Sequence, residues 1–162
     1  MMLADLFTAI CDMLCKRTGA QVHLGLPGDT DSGVYVWPWR HAEDALANSL
    51  VPPNNQPAKP HQLHIGYRNV YFLVLVRPPL TLDGLLLLDL ARRAIREEPV
   101  ILVGKERVQL LISDLPLCDL SSLFLAASQP MSICLNVEAR GFSDPPASLT
   151  ELDQSVGLPR AG

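Results

Sequence analysis

One stretch, residues 71–99, limits the possible folds more than any other part of the sequence. An apolar run, YFLVLV, is followed by RPP and then by TLDGLLLLDLARRAIREE, which ends at Pro99. The run is typical of a strand buried on at least one face, and a proline pair cannot continue it. The next segment has helical spacing, and Pro99 excludes Glu98 from the α region. The sequence therefore predicts a strand, a proline turn and a helix of about 27 Å over residues 81–98.

The faces of this helix are predicted from the same spacing. Four charged residues at i, i+3, i+4 and i+7 form one face: Asp89, Arg92, Arg93 and Arg96. The many leucines and alanines form a wide apolar stripe, which is typical of a helix lying on a sheet with only a narrow wet edge. We interpret the leucines as core. Thr81 or Asp83 is expected to cap the first turn, and Gly84 to permit close packing on a strand.

The rest of the chain alternates between helical and strand-like patterns. In chain order, the predicted elements are a helix at 2–18, strands at 21–26 and 34–39, one or two strands within 61–77, the long helix, a strand at 107–112, a short helix at 114–128 and a strand at 131–138. Pro38 is expected to end its strand or to lie at a sheet edge. Four alternating residues are expected to form the inner side of the last strand: Met131, Ile133, Leu135 and Val137.

This order predicts an α+β single domain over residues 1–140. Its sheet is mixed and mostly antiparallel, with four to five strands, because several connections are too short for crossover helices. An N-terminal helix, a central long helix and a short third helix pack on it. Residues 141–162 are expected to form an extended C-terminal tail. The proline-rich segment 40–59 is expected to be an exposed loop, either a partner contact or a plain connector.

Composition excludes several classes of protein. A net charge of -4 argues against a nucleic-acid footprint. The sequence has no run of 18 apolar residues, so no membrane span is expected. The basic pair near the N-terminus, Lys16 and Arg17, follows the apolar pattern, which is the reverse of a signal peptide. We therefore expect a cytoplasmic protein.

The histidines, cysteines and paired aspartates do not form a recognisable site. His61 and His64 are three apart in a strand-like segment, so they face opposite sides. Asp29 and Asp31 lack the further ligands of a calcium loop. Four cysteines are expected to be reduced and buried: Cys11, Cys15, Cys118 and Cys134. A zinc site that joins the first two to the histidine pair is conceivable, but nothing sets its spacing.

The sequence contains none of the common catalytic motifs. We find no phosphate-binding loop, no dinucleotide-binding fingerprint, no nucleophile elbow and no zinc-protease helix. The sequence therefore predicts no enzyme, no cofactor and no metal. A small ligand-binding domain that uses the histidines and the aspartate pair is the least favoured alternative.

The order of segments resembles the N-terminal domain of the cap, or tail terminator, family of contractile phage tails and contractile injection systems. The resemblance spans most of residues 2–140. Four segments carry it: LADLFTAICDML, GVYVWPWRHAEDALANSLVPP, YFLVLVRPPLTLDGLLLLDLARRAIREEPVI and VQLLISDLPLCDLSSLFLAASQPMSICLNVEAR. The match lies in apolar spacing and not in chemical motifs. Unlike the family, the chain has no polar turn between RPP and the helix, and its brevity favours a phage-type terminator over a large cap.

The resemblance implies a structural protein. It would form a hexameric ring on the last tier of tail tube and sheath, stop their polymerisation and, in a phage, join the tail to the head connector. The implied partners are further copies of the chain, the sheath and tube proteins, and the connector, with no nucleic-acid readout and no membrane. The implied location is the virion tail or an injection particle assembled in the bacterial cytoplasm. Another head–tail joining or adaptor protein is the alternative.

The interface residues are predicted from this sequence alone. They fall in three groups: the helix edge Arg92, Arg93 and Arg96, the loop residues Asn54 and Asn55, and the tail residues Leu149, Leu152, Val156 and Leu158. Two tryptophans, Trp37 and Trp39, are expected to share a strand face, where either core packing or an interface would explain them.

Overall fold

The computed structural model describes residues 3–28, 31–43 and 67–143. Within these ranges the chain forms three helices and six strands. The helices are α1 (Leu3–Thr18), α2 (Leu82–Glu97) and α3 (Leu117–Ala126); the strands are β1 (Val22–Leu24), β2 (Gly33–Glu43), β3 (Tyr67–Arg77), β4 (Val100–Val103), β5 (Glu106–Ser113) and β6 (Leu135–Ser143). The predicted α+β single domain is confirmed.

The strands form one mixed sheet in the order β1-β2-β3-β6-β5-β4. The β1–β2 pair is parallel and the other four pairs are antiparallel, as expected from the short connections. The predicted strand number was slightly low because β4 was missed. This strand has only four residues, begins directly after Pro99 and pairs with β5 through a tight turn at Gly104. Such a short run has no periodicity of its own.

The strand β2 continues to Glu43, so of the two alternatives predicted for Pro38 the strand end is wrong and the edge position is the one observed. Proline is tolerated there for two reasons. The register of β1 reaches only Val36, so no described strand pairs with the outer side of β2 at Pro38. A bulge between Pro38 and Arg40 also interrupts the ladder to β3 at this point.

The helices α1 and α2 pack on one face of the sheet and form the main core. Their buried side chains meet the inward valines of β2 and β3. The fully buried members of this core include Leu6, Ile10, Leu14, Val34, Val36, Phe72, Val74, Ala91, Val108, Val137 and Ala139. At its centre the rings of Phe7 and Phe72 meet edge to face, with centroids 5.8 Å apart.

The helix α3 packs on the opposite face of the sheet. Its Phe124 is buried against Tyr35, Leu73 and Leu75, which makes a second, smaller core. Trp37 and Trp39 are partly buried in the same core, so the prediction that they share a face is confirmed. The strand β3 is therefore covered on both faces.

The last strand begins at Leu135, so the prediction of an inner face from Met131 is wrong. Met131 and Ile133 are 49% and 53% exposed. The alternation of apolar residues begins at Met131, but the pairing of β6 with β3 ends at Leu135. The residues before Leu135 therefore have no neighbouring strand in the described sheet.

The expected burial of cysteines also fails at Cys15 and Cys118, which are exposed.

The turn into α2 follows the predicted chemistry. Thr81 is the N-cap, and its hydroxyl accepts a hydrogen bond of 3.1 Å from the Gly84 amide. The helix ends at Glu97, before Pro99. Gly84 is buried, and a Cβ on it would collide with the Pro78 carbonyl oxygen.

In the part of the chain that the structure describes, no helix is long and apolar enough to cross a membrane.

We expect Gly84→Ala to destabilise the protein by about 1–3 kcal/mol, because α2 must move away from Pro78 to make room for the methyl group. Helix propensity alone predicts the opposite sign, a gain of about 1 kcal/mol. Urea unfolding measures the difference. Gly28→Ala is the control, since its Cβ would meet only Asp31 at 4.0 Å. A stabilised Gly84→Ala protein would contradict the close contact.

Candidate assembly surfaces

The outward side of α2 carries leucines, and they define the main candidate site. Leu82, Leu86 and Leu90 lie one turn apart and are 75%, 55% and 40% exposed, and Leu85 beside them is 42% exposed. We call these four residues the leucine ridge. The prediction that the leucines belong to the core is wrong for them. The face of α2 on the sheet is already filled by smaller or better placed residues: Gly84, Leu88, Ala91, Ala94 and Ile95.

An apolar ridge of this size has an energetic cost in water. Full burial of one leucine side chain contributes about 1.5–3 kcal/mol. Single exposed leucines are common on protein surfaces, but a row of four on a rigid helix is typical of an interaction site. The ridge is therefore the main candidate for a partner surface on α2.

The C-terminal half of the same outward face is charged. Asp89 accepts a hydrogen bond of 2.8 Å from Arg92 and forms an ion pair of 2.9 Å with Arg93. The hydrogen bond from Arg92, with the charges of both guanidinium groups, holds the pKa of the Asp89 carboxyl below its usual value. Arg96 makes no ion pair with the residues that the structure describes. The outward face thus changes from apolar to charged along the helix.

The three predicted arginines lie near one another on α2, and their role as an interface stays a prediction. The other predicted interface residues lie outside the described residues: Asn54, Asn55, Leu149, Leu152, Val156 and Leu158. His61, His64 and Asp29 are also outside them. Within residues 3–28, 31–43 and 67–143, no three His, Cys, Asp or Glu side chains are grouped as a metal would need.

A cavity of about 390 Å³ lies beside the proline turn. We call it the end pocket. It is lined by Leu80, Leu120, Met131, Ser132, Ile133 and Cys134. Sequence analysis missed it because its walls come from three separate segments of the chain.

The end pocket is apolar, and one of its walls is strained. Burial raises the pKa of the Cys134 thiol to about 11, so the thiol is neutral at physiological pH. Leu80 has a φ of 58°, in the left-handed region that leucine rarely adopts, and its side chain is 71% exposed. The strained backbone of Leu80 keeps its apolar side chain exposed to water. Backbone strain of this kind is often found at functional sites, so we interpret Leu80 as a candidate functional residue.

A polar network occupies the part of the second sheet face that α3 does not cover. Glu138 is 5% exposed and accepts hydrogen bonds from Asn69 (3.1 Å), Tyr71 (3.0 Å) and Arg140 (2.9 Å). The bonds from Asn69 and Tyr71 join β3 to β6, and the three donors together satisfy the buried carboxylate. The neighbouring Asn136 accepts a bond of 3.1 Å from the Trp39 indole and donates one of 2.9 Å to Ser113.

The network is structural, because its carboxylate is fully engaged by donors of its own chain. Sequence analysis did not find it. Its only signal was polar residues at alternate positions of apolar strands, and the partners Asn69, Tyr71 and Trp39 lie more than sixty residues from Glu138 and Asn136.

Comparisons with known proteins support the fold. No family profile and no curated protein matches the sequence. One solved structure with the same fold is the sheath/tube terminator of PVC, an extracellular contractile injection system, in its extended state. It has a TM-score of 0.65 and 12% identity, over 90% of this chain and 57% of that one.

A second is the tube-terminating cap of the anti-feeding prophage, with a TM-score of 0.59 and 15% identity over 92% of this chain and 58% of that one. The resemblance to contractile injection system terminators is confirmed at the level of the fold. The chain spans less than three fifths of the length of either neighbour.

We expect Glu138→Ala to destabilise the protein by about 1–3 kcal/mol, because the substitution leaves half-buried donors on Asn69 and Tyr71 without this acceptor. Chemical denaturation measures this loss. Gln109→Ala, an exposed position on the adjacent strand β5, is the control and is expected to change stability by less than about 0.5 kcal/mol. Equal effects of the two substitutions would show that the network contributes nothing.

Tyrosine ionisation is expected to destabilise the fold at high pH. The pKa of Tyr71 is raised mainly by burial, and also by the hydrogen bond to Glu138 and the negative charge of Glu138. Burial also raises the pKa of Tyr35. As the pH rises, the tyrosines of the unfolded chain lose their protons before those of the folded protein. The free energy of unfolding is therefore unaffected below about pH 10 and decreases as the pH rises towards the folded pKa values. Phenolate absorbance of the folded protein is expected to show midpoints above 10 for two tyrosines. In Glu138→Ala the midpoint of Tyr71 falls while that of Tyr35 stays.

Proposed function

We propose that this protein is a structural terminator, or cap, of a contractile tail or injection particle. It forms a closed ring on the last tier of tube and sheath and stops their polymerisation. The observation that carries the proposal is the leucine ridge: an unpartnered apolar helix face on a fold shared with two terminators. The role is non-enzymatic, since the most prominent described surfaces are built for packing.

The physical requirements of such a ring fit the described surfaces. Identical subunits close into a ring through two different surfaces that meet. A rigid helix with an apolar half and a charged half supplies one of them. The edge strand β4 has a free side in the described sheet and exposes Val100 and Leu102, so it suits the addition of an extended segment from a sheath or tube protein.

The finer features of the proposal follow the family resemblance. The ring is a hexamer, and in a phage it also contacts the head connector. Residues 1–140, with the end of β6 at Ser143, are the ring-forming domain. The residues that follow β6, up to 162, and the segment with Asn54 and Asn55 contact partners. The particle is assembled in the bacterial cytoplasm.

Imaging tests the proposal directly. Negative-stain microscopy and mass photometry of the purified protein are expected to show six-fold rings, alone or on the ends of added tube and sheath. Leu86→Lys is expected to abolish the rings, because a charge enters the centre of the ridge. The matched control is Leu24→Lys, which places the same charge on an equally exposed leucine of β1, and it is expected to leave the rings intact.

Two outcomes would count against the proposal. A wild-type protein that stays monomeric and binds neither tube nor sheath ends would refute it. Copurification with a portal or adaptor protein, without sheath, would instead favour a head–tail joining protein.

A further inference from the structure

Two apolar surfaces of this chain lie on different sides of the sheet. The leucine ridge is on α2, which packs on the same face as α1. The end pocket is built mainly by residues 131–134, with Leu120 of α3 and Leu80, and its Leu120 and Cys134 pack with the second core on the opposite face. A subunit therefore cannot insert its own ridge into its own pocket, and no other described residue of the chain fills either surface.

The two surfaces match in size. The ridge extends about 12 Å from Leu82 to Leu90. The pocket volume of about 390 Å³ gives room for roughly a dozen heavy atoms at about 30 Å³ each. A leucine side chain has four carbon atoms, so the pocket accepts the side chains of one helical turn. Met131 is flexible enough to adapt its shape to them.

The charges beside the two surfaces are opposite. Beyond the ridge, the outward face of α2 carries Arg93 and Arg96, both exposed. Beside the pocket, Asp119 precedes the wall residue Leu120, and Asp114 lies in the segment before α3; both aspartates are exposed. Opposite charges at the rim of an apolar contact favour one orientation and penalise others.

We propose that the leucine ridge of one copy inserts into the end pocket of the next copy of this chain. The inference rests on the proposed ring, since it names the partner of the ridge in that ring. The contact is heterologous: each subunit gives its ridge to one neighbour and its pocket to the other. Leu80, held in a left-handed conformation at the pocket wall, closes over the inserted leucines. A two-fold pair of ridges is the competing arrangement, and it would leave the pocket empty.

Cysteine cross-linking tests the contact. In a background with Cys15→Ser, Cys118→Ser and Cys134→Ser, which removes the exposed native thiols and the thiol of the pocket wall, Leu86→Cys and Ile133→Cys are made singly and together. Mixing the two single variants under mild oxidation is expected to give a covalent dimer that contains one copy of each. The double variant is expected to give a ladder that ends at the size of the closed ring. The pair Leu24→Cys with Ile133→Cys is the matched control and is expected to give no ladder.

The possible results separate this inference from the proposed function. Cross-linking of Leu86→Cys alone to itself would overturn the inference, because it requires ridge to face ridge. Rings in the microscope without a cross-link between positions 86 and 133 would also overturn it, while leaving the terminator role in place. Absence of both rings and cross-links would refute both.

A charge exchange gives a second readout. Arg96→Glu, at an arginine that makes no ion pair with the residues that the structure describes, is expected to weaken self-association about fivefold, and Asp119→Arg to restore it when the two are combined. Additive losses in the double variant, measured by analytical ultracentrifugation, would contradict the proposed orientation. Lys105→Glu, on the β4–β5 turn, is the control for a change in net charge.

Discussion

Burial of β3 on both faces is the constraint on which the rest of the structure depends. Phe72 and Val74 face α1 and α2, while Leu73 and Leu75 face α3, and all four are excluded from water. A strand of this kind is stable only if helices cover both sides of the sheet. The chain supplies two helices for one side and only ten residues of α3, about 15 Å, for the other. Coverage of the second face by the described residues is therefore incomplete.

The incomplete cover explains the distribution of polar residues. Where α3 lies over the sheet, the second face is apolar. Beyond it, Asn136 and Glu138 replace aliphatic residues and are satisfied by side chains from neighbouring strands. Burial of a carboxylate costs little free energy while three donors bind it. The cost becomes large if one strand shifts in register, because the carboxylate then loses its donors. The network therefore fixes the alignment of β3 and β6 in the part of the sheet where helix packing does not.

The proline turn connects this core to the candidate assembly surfaces. It brings α2 back over the main core directly after β3, with Gly84 against the Pro78 carbonyl oxygen. This close approach fixes the rotation of α2, so that Leu86 and Leu90 face away from the sheet. The same turn places Leu80 at the wall of the end pocket. The proline turn thus positions both the leucine ridge and one wall of the end pocket. A change that destabilises this turn would therefore also alter the two candidate assembly surfaces.

The sequence by itself determined what depends on neighbouring residues. Thr81 as a cap, Pro99 as a stop, the buried run before α2 and the α+β order of elements all follow from local conformational preferences and apolar spacing. Tertiary structure alone decided which leucines of α2 are core, because a helix with leucines around most of its circumference has no unique buried side until its neighbours are in place. It also decided that the alternation through Met131 and Ile133 lies beyond the sheet, and that Asn69 and Tyr71 meet Glu138. Burial and hydrogen bonding between distant segments depend on pairing in three dimensions, and spacing along the chain does not contain that information.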